Sequence, residues 1–305
     1  MPDLLSNARC VGTHPVLVRY TLRLLRLVYN EQGAVARMAQ PHTNSVSGNR
    51  ESPGSPRVAL FVTCLADLFR PSVAFNAIHL LERAGCEVSV PAAQTCCGQP
   101  AYNSGDYESA TPLARKMIEA FEGADYVVAP SGSCAGMISH HYPRLLQGEW
   151  RQRALELAAR TYELTSFLVD VMHLGRGDSP VMQVPGITYH DSCAGLRELG
   201  VKEQPRQLLR ELCQSEVSEL DHSEVCCGFG GTFCAKMPDI SGKMVTDKLE
   251  AALATGAPIL AGGDLGCLLN IAGRARRLGQ AIEVRHIAEL LTGDLQGPAI
   301  GEGES

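Results

Sequence analysis

The chain has 305 residues, twelve of them cysteine, with 45% hydrophobic and 20% charged residues, a net charge of −6 and a pI near 5.9. That balance describes a globular protein with room for two ordinary domains. It excludes a basic footprint for nucleic acid, and a single Trp among sparse aromatics speaks against a base-stacking surface. No window reaches 18 uninterrupted apolar residues, so no membrane span is expected. The first ten residues lack the basic-then-apolar pattern of a secretory signal. The expected compartment is therefore the reducing cytoplasm, where cysteines at fixed spacing read as metal ligands or redox groups instead of disulfide staples.

In chain order, residues 1–56 read as a largely disordered extension. Within it, VLVRYTLRLLRLVY (16–29) forms a short basic amphipathic pattern with Arg19, Arg23 and Arg26, suited to peripheral contact with an anionic membrane surface. Residues 40–57 are polar and rich in Pro, Gly and Ser. From Arg57 the pattern turns α/β. VALFVT (58–63) predicts a buried strand that runs directly into Cys64, and residues 71–84 predict a helix with Pro71 at its first turn. Residues 87–90 read as a strand, 106–121 as a helix, 124–130 as a strand ending at Ser131-Gly132-Ser133-Cys134, and 149–172 as one long helix. The order then repeats: strand 186–190, helix 204–212, strand 217–220, helix 240–254, strand 257–261, and helices 268–278 and 286–291. Alternating strands and helices predict mostly parallel sheets. The expected class is α/β, as two tandem, internally duplicated halves spanning 57–183 and 184–305 with a short disordered C-terminus. The cysteine loops are expected at the carboxyl ends of the strands.

The duplication is clearest in the cysteines. Cys64, Cys96-Cys97-Gly98 and Cys134 are matched by Cys193, Cys226-Cys227-Gly228 and Cys267, and corresponding positions lie 129, 130 and 133 residues apart (193−64, 226−96, 267−134). Each half thus offers four thiolates, the number that a tetrahedral metal or an iron–sulfur cluster requires. The CxxC knuckles of zinc sites and the compact cysteine run of bacterial ferredoxins are both missing. Adjacent side chains diverge and suit different irons of a cluster better than one zinc ion. Gly98, Gly228, Gly230 and Gly231 leave backbone that can approach a cofactor and donate N–H groups to its sulfurs.

The segments Cys96-Cys97-Gly98-Gln99-Pro100-Ala101-Tyr102-Asn103-Ser104-Gly105 and Cys226-Cys227-Gly228-Phe229-Gly230-Gly231-Thr232-Phe233 resemble the two CCG motifs of the cysteine-rich domain family of iron–sulfur oxidoreductases. That family includes the cysteine-rich subunit of heterodisulfide reductase and the glycolate oxidase iron–sulfur subunit. Pro130-Ser131-Gly132-Ser133-Cys134 and Tyr189-His190-Asp191-Ser192-Cys193 bring the chain nearest to its lactate utilization group. The resemblance covers roughly residues 57–292. It implies an iron–sulfur electron-transfer subunit in a multi-protein system oxidising L-lactate to pyruvate, active in complex with a ferredoxin-like iron–sulfur protein and a third small subunit. It further implies one or two clusters of [4Fe–4S] type on the eight cysteines. The alternatives are a heterodisulfide or thiol–disulfide reductase subunit, a subunit acting on glycolate or another small 2-hydroxy acid, and a structural metal scaffold. In the heterodisulfide reductase relative the last cysteine of each set opens a CxxC that helps hold a non-cubane cluster. Here Met137 and Asn270 take the second positions, leaving four thiolates per half.

The weaker candidates are read with their plainer alternatives. His190-Asp191 can relay a proton or bond a cluster sulfur, or simply close a strand end. Arg70 and Arg197 follow the first cysteine of each set and can balance cluster charge or bind a carboxylate, or form surface salt bridges. Lys236 carries the same ambiguity. Cys86, Cys213 and Cys234 read as packing residues and His140-His141 as a helix surface pair. No dinucleotide or phosphate-binding loop is present, which removes the motive for NAD or ATP binding.

Overall fold

The computed structural model describes residues 55–175, 177–178 and 181–302. The basic amphipathic pattern at 16–29 and most of the polar segment before Arg57 lie outside the described residues. From Ser55 onward the chain forms one compact unit.

Two four-stranded parallel sheets organise it. The first contains β1 (Arg57–Leu60), β2 (Glu87–Ser89), β3 (Tyr126–Ala129) and β4 (Thr161–Glu163) in the order β2-β1-β3-β4. The second contains β5 (Ile187–His190), β6 (Val217–Ser218), β7 (Ile259–Gly262) and β8 (Glu283–His286) in the order β6-β5-β7-β8. Val58 sits opposite both Val88 and Tyr126, and Ile187 opposite both Val217 and Ile259. Parallel strands are stable only with both faces covered, which is why β1, β5 and β7 are almost wholly buried. The covering helices supply apolar stripes at helical spacing, such as Val73, Ala74, Ala77, Ile78 and Leu81 of Pro71–Arg83.

In each half the chain leaves the first strand toward one edge and returns to add the third strand on the other side. The strand order reverses between β1 and β3, and again between β5 and β7. Open parallel sheets bind ligands in the crevice outside the carboxyl ends of the strands at such a reversal. Cys64 and Cys193 follow the strand on one side of it, and Cys134 and Cys267 follow the strand on the other.

Two elements differ from the expected order. The segment expected as one helix over 149–172 is a helix at Gly148–Ala158, then β4, then a π-helical turn at Phe167–Val171. The helix expected from 286 begins one residue later, at Ile287–Thr292, and is preceded by a strand that was not expected, Glu283–His286 (β8). Both missed strands are too short to show alternation. They are held by distant parallel partners, Val127 opposite Thr161 and Leu260 opposite Val284, which no local pattern encodes.

The halves meet through backbone and buried charge. A Cβ on Gly132 would lie 2.8 Å from the Cα of Gly195, so the helices Gly132–Gly136 and Cys193–Arg197 touch where both lack side chains. The Asp264 carboxylate, just before Cys267, accepts from Ser131 Oγ (3.2 Å) and Ser133 N (2.9 Å), just before Cys134. Arg70 Nε donates to Glu289 Oε1 at 2.7 Å, and Glu289 is 1% exposed. The same carboxylate accepts from Ser72 Oγ and from His286 N.

Breaking a buried pair from one side leaves an uncompensated charge. Arg70→Met should destabilise the fold by about 3–5 kcal/mol, read from urea unfolding, and adding Glu289→Gln should recover much of that loss. Burial pushes the Glu163 carboxyl from its ordinary 4.5 up to about 7, against the hydrogen bonds it accepts from Thr165 and Ser166. The native state therefore holds this proton more tightly than the unfolded chain. Its contribution is full below pH 4.5 and is lost as pH rises through about 7. The stability of the native sequence relative to Glu163→Gln should fall across that window and flatten above it, as urea midpoints at a series of pH values would show.

Candidate metal centre

Each of the eight cysteines is placed by a short device at a strand end. Cys64 opens the helix Cys64–Phe69, capped by Thr63 Oγ1, which accepts from Ala66 N. Cys193 opens the helix Cys193–Arg197, capped by Ser192 Oγ, which accepts from Gly195 N. Cys134 lies in the helix capped by Ser131, and Cys267 lies near the start of Leu265–Arg277. The vicinal pairs end in Gly98 (φ +84°) and Gly228 (φ +80°), a left-handed conformation that suits glycine. At Gly228 a Cβ would also meet the carbonyl oxygen of Ser241 at 2.9 Å.

The loops converge. Cys64 Sγ lies 3.8 Å from Cys96 Sγ, and Cys97 Sγ lies 3.6 Å from Cys134 Sγ. The vicinal pair is thus split, one sulfur turned to each side of the reversal point. The second set repeats the pairing, with Cys193 engaging Cys226 and Cys227 engaging Cys267. All eight thiols are free. Backbone amides point at the outer member of each pair, Gly98 N to Cys96 Sγ at 3.5 Å and Gly228 N to Cys226 Sγ at 3.3 Å. Hydrogen bonds from Cys64 and then Cys97 hold the Cys96 thiol down at about 3, while Cys64 is pushed up by the same contact. Cys193 and Cys227 hold Cys226 down at about 2. Each set therefore carries one thiol held low enough to be a thiolate, the form that binds a soft metal.

The surroundings of the two sets differ. In the first, Cys97 and Cys134 belong to an apolar core that includes Phe61, Met117, Ile118 and Phe121. The second includes a His and a Lys. His190 is 1% exposed, with both ring nitrogens buried and without a hydrogen-bond partner. Burial, with Lys248 nearby, holds its imidazole down at about 3, so it is neutral. One ring nitrogen, Cys227 Sγ and Cys267 Sγ all lie within 4.8 Å of one another. Lys248, 2% exposed, donates to the carbonyls of His222 and Ser223 at 3.1 Å, with the thiols of the second set close by.

The remaining sequence candidates are placed as follows. Both Asp191 oxygens are held by Arg206 at 2.9 and 2.8 Å, so Asp191 braces its loop. Arg70 is committed to Glu289. Arg197 donates to the carbonyl of Glu224 at 3.0 Å, and its charge lowers the Cys193 thiol against stronger upward effects. Gly231 packs beside Pro100, and Ser104 Oγ lies 2.8 Å from Thr232 Oγ1, so the two CCG loops touch. His141 is no free surface residue: it pairs with Glu198 at 3.1 Å and lies against Tyr102. Cys86 and Cys213 are buried, and Cys234 is half-buried. Sequence reasoning missed Tyr142, whose hydroxyl donates to the Cys97 carbonyl at 2.8 Å, and Asn270, which donates to the Cys227 carbonyl at 2.9 Å. It also missed Gln94, which ties Val62 N to the loop before Cys96, and Lys248. A legible signal existed for Lys248, which falls on the inward stripe Ser241, Val245, Lys248, Ala252 of its helix.

The donor chemistry fits an iron–sulfur cluster or another soft metal. Four thiols meet per half, one of them already anionic, and the second set adds a buried imidazole that nothing else satisfies. Among the described residues no helix is long and apolar enough to cross a membrane.

Comparison with known proteins agrees with the duplication. The sequence profile of the CCG cysteine-rich domain matches residues 58–139 and 187–272, each match spanning one set of four cysteines. Lactate utilization protein A 2 of Bacillus cereus (strain 03BB102) is 48% identical over 237 residues, covering 77% of this chain and 97% of the relative. Lactate utilization protein A of Oceanobacillus iheyensis is 48% identical over 243 residues, covering 79% of this chain and 98% of the relative. A solved structure from Yersinia pestis, described as an Asp/Glu racemase, aligns with 78% of this chain and 96% of its own at 10% identity, and its TM-score of 0.31 carries no argument. By profile and by relatives, this chain belongs to the CCG cysteine-rich domain family.

Proposed function

We propose that this chain is the iron–sulfur electron-transfer subunit of a multi-protein system that oxidises L-lactate to pyruvate. The observation that carries the reading is the convergence of two four-thiol sets whose CCG loops touch each other, in a chain about half identical to lactate utilization proteins A. Oxidation of lactate to pyruvate releases two electrons and two protons, and the electrons need carriers. Cys64, Cys96, Cys97 and Cys134 would hold one cluster, and Cys193, Cys226, Cys227 and Cys267 the other. A bound cluster supplies reversible one-electron storage at a potential set by its charge, hydrogen bonds and burial.

The chain's own residues tune and shelter those positions. Gly98 N and Gly228 N donate to sulfur. Cys97, Cys134, Cys227 and Cys267 are buried, which keeps water from the inner side of each set. Tyr142 and Asn270 fix the vicinal pairs by their carbonyls. Lys248 brings a cation to the second set, where it favours added negative charge. Ser104 with Thr232, and Asp264 with Ser131 and Ser133, keep the two sets in register across the shared interface. The partners in this reading are a ferredoxin-like iron–sulfur protein and a third small subunit, and the working compartment is the cytoplasm.

Anaerobically purified protein should be brown and carry about eight irons per chain if each set holds a four-iron cluster. Cys97→Ser should lower the iron by about half while sparing the second set. Lactate-dependent dye reduction should require the co-encoded proteins. Zinc in place of iron, or glycolate oxidised in preference to lactate, would overturn the reading. Lys248→Met should shift the midpoint potential of the second centre downward and leave the first unchanged, as followed by EPR-monitored redox titration.

A further inference from the structure

The two halves repeat each other in strand order and thiol pairing, yet they differ at the residue three positions before the first cysteine. In the first half this is Phe61, fully buried among Cys97 and Cys134 and set edge-on to Phe121 with ring centroids 6.0 Å apart. In the second half it is His190, equally buried, with a ring nitrogen within 4.8 Å of both Cys227 Sγ and Cys267 Sγ. A histidine serving only as filler at this depth would be expected to hydrogen-bond at least one nitrogen. Here neither finds a partner. Asp191, the adjacent carboxylate, is taken up on both oxygens by Arg206, and Lys248 spends its protons on two backbone carbonyls. The thiols of Cys227 and Cys267 lie within reach of a ring nitrogen, with Cys226 and Lys248 near enough to act on the ring.

We propose that His190 is a nitrogen donor to the second centre, which thereby has a mixed sulfur–nitrogen shell while the first centre is held by thiolates alone. The inference rests on the iron–sulfur reading above and adds the chemical identity of a ligand. Iron accepts imidazole as well as thiolate. A neutral imidazole adds a nitrogen donor to the shell without adding negative charge. The duplication has then produced two sites of different ligand chemistry.

The test uses the full chain carrying Cys97→Ser to silence the first centre, reconstituted anaerobically with ferrous iron and sulfide. It is grown once with ordinary and once with ¹⁵N-labelled histidine. Pulsed EPR of the reduced protein should show an imidazole nitrogen coupled as a direct ligand, changing with the isotope and absent in His190→Phe. In the otherwise native chain, His190→Phe should release the second centre's iron to a chelator at least about tenfold faster, with the first centre's release unchanged. His190→Cys should keep the iron but lose the nitrogen signal. If His190→Phe does not fold, the isotope comparison decides on its own. A second centre that holds iron with only weak nitrogen coupling, or none, overturns the assignment and leaves the proposed function standing. A native chain that takes up no iron overturns both.

Discussion

The structure depends on one geometric constraint: sulfur atoms from loops some thirty to forty residues apart must arrive within about 4 Å of each other. Parallel strands meet it because their carboxyl ends all lie on one edge of the sheet. The order β2-β1-β3-β4 adds a crevice between β1 and β3, and the vicinal pair reaches into it from the neighbouring β2 side. One cysteine of the pair then turns to Cys64 and the other to Cys134. A left-handed glycine immediately after the pair lets the chain turn away without crowding what the sulfurs hold. The CCG motif is thus the local solution to a problem set by sheet topology. The second half solves the same problem with the same parts.

What the duplication kept and what it changed separate cleanly. Strand order, caps, thiol pairing and the glycine turn are common to both halves. The walls are not. Phe61 and Ile118 give the first set an apolar lining, while His190 and Lys248 give the second a neutral imidazole and a buried cation. Burying Lys248 costs several kcal/mol unless its charge is compensated. Two backbone carbonyls and the nearby thiols offer that compensation. Such a cation pairs with the anionic Cys226 thiolate and would pair more strongly with an anionic cluster. The asymmetry therefore bears on function, because geometry alone would be satisfied by the first half's lining.

Much of this was legible in the amino-acid order. Short apolar runs ending at a cysteine located β1, β3, β5 and β7. The spacing of the cysteines displayed the duplication, and Pro71 marked a helix start through its conformational preference. The strands β4 and β8 were hidden, since three or four residues cannot display alternation and a helix follows each directly. The residues that hold the loops, Tyr142, Asn270, Gln94 and Asp264, were hidden for another reason. Each acts on a backbone group far away in sequence, and a donor aimed at a carbonyl leaves no trace in residue pattern. Arg70 shows the converse. It stands near Cys64 in sequence, which suggested a role at the cluster, yet its partner Glu289 lies on the far half.

The interface between the halves explains why they occur in one chain. Asp264 belongs to the loop of the second set's Cys267 but binds the cap of the helix bearing Cys134, so neither third-cysteine loop is complete alone. Gly132 and Gly195 touch at the backbone, which fixes the helix carrying Cys134 against the helix opened by Cys193. A half expressed by itself would expose this glycine contact and leave Glu289 buried without Arg70 or Arg70 without Glu289. Charge-assisted hydrogen bonds at such positions are individually worth about 1.5–3 kcal/mol, and a domain's whole stability is only about 5–15 kcal/mol. The same contacts that stabilise the fold therefore hold the two thiol sets at one fixed separation, which the proposed passage of an electron between them would require.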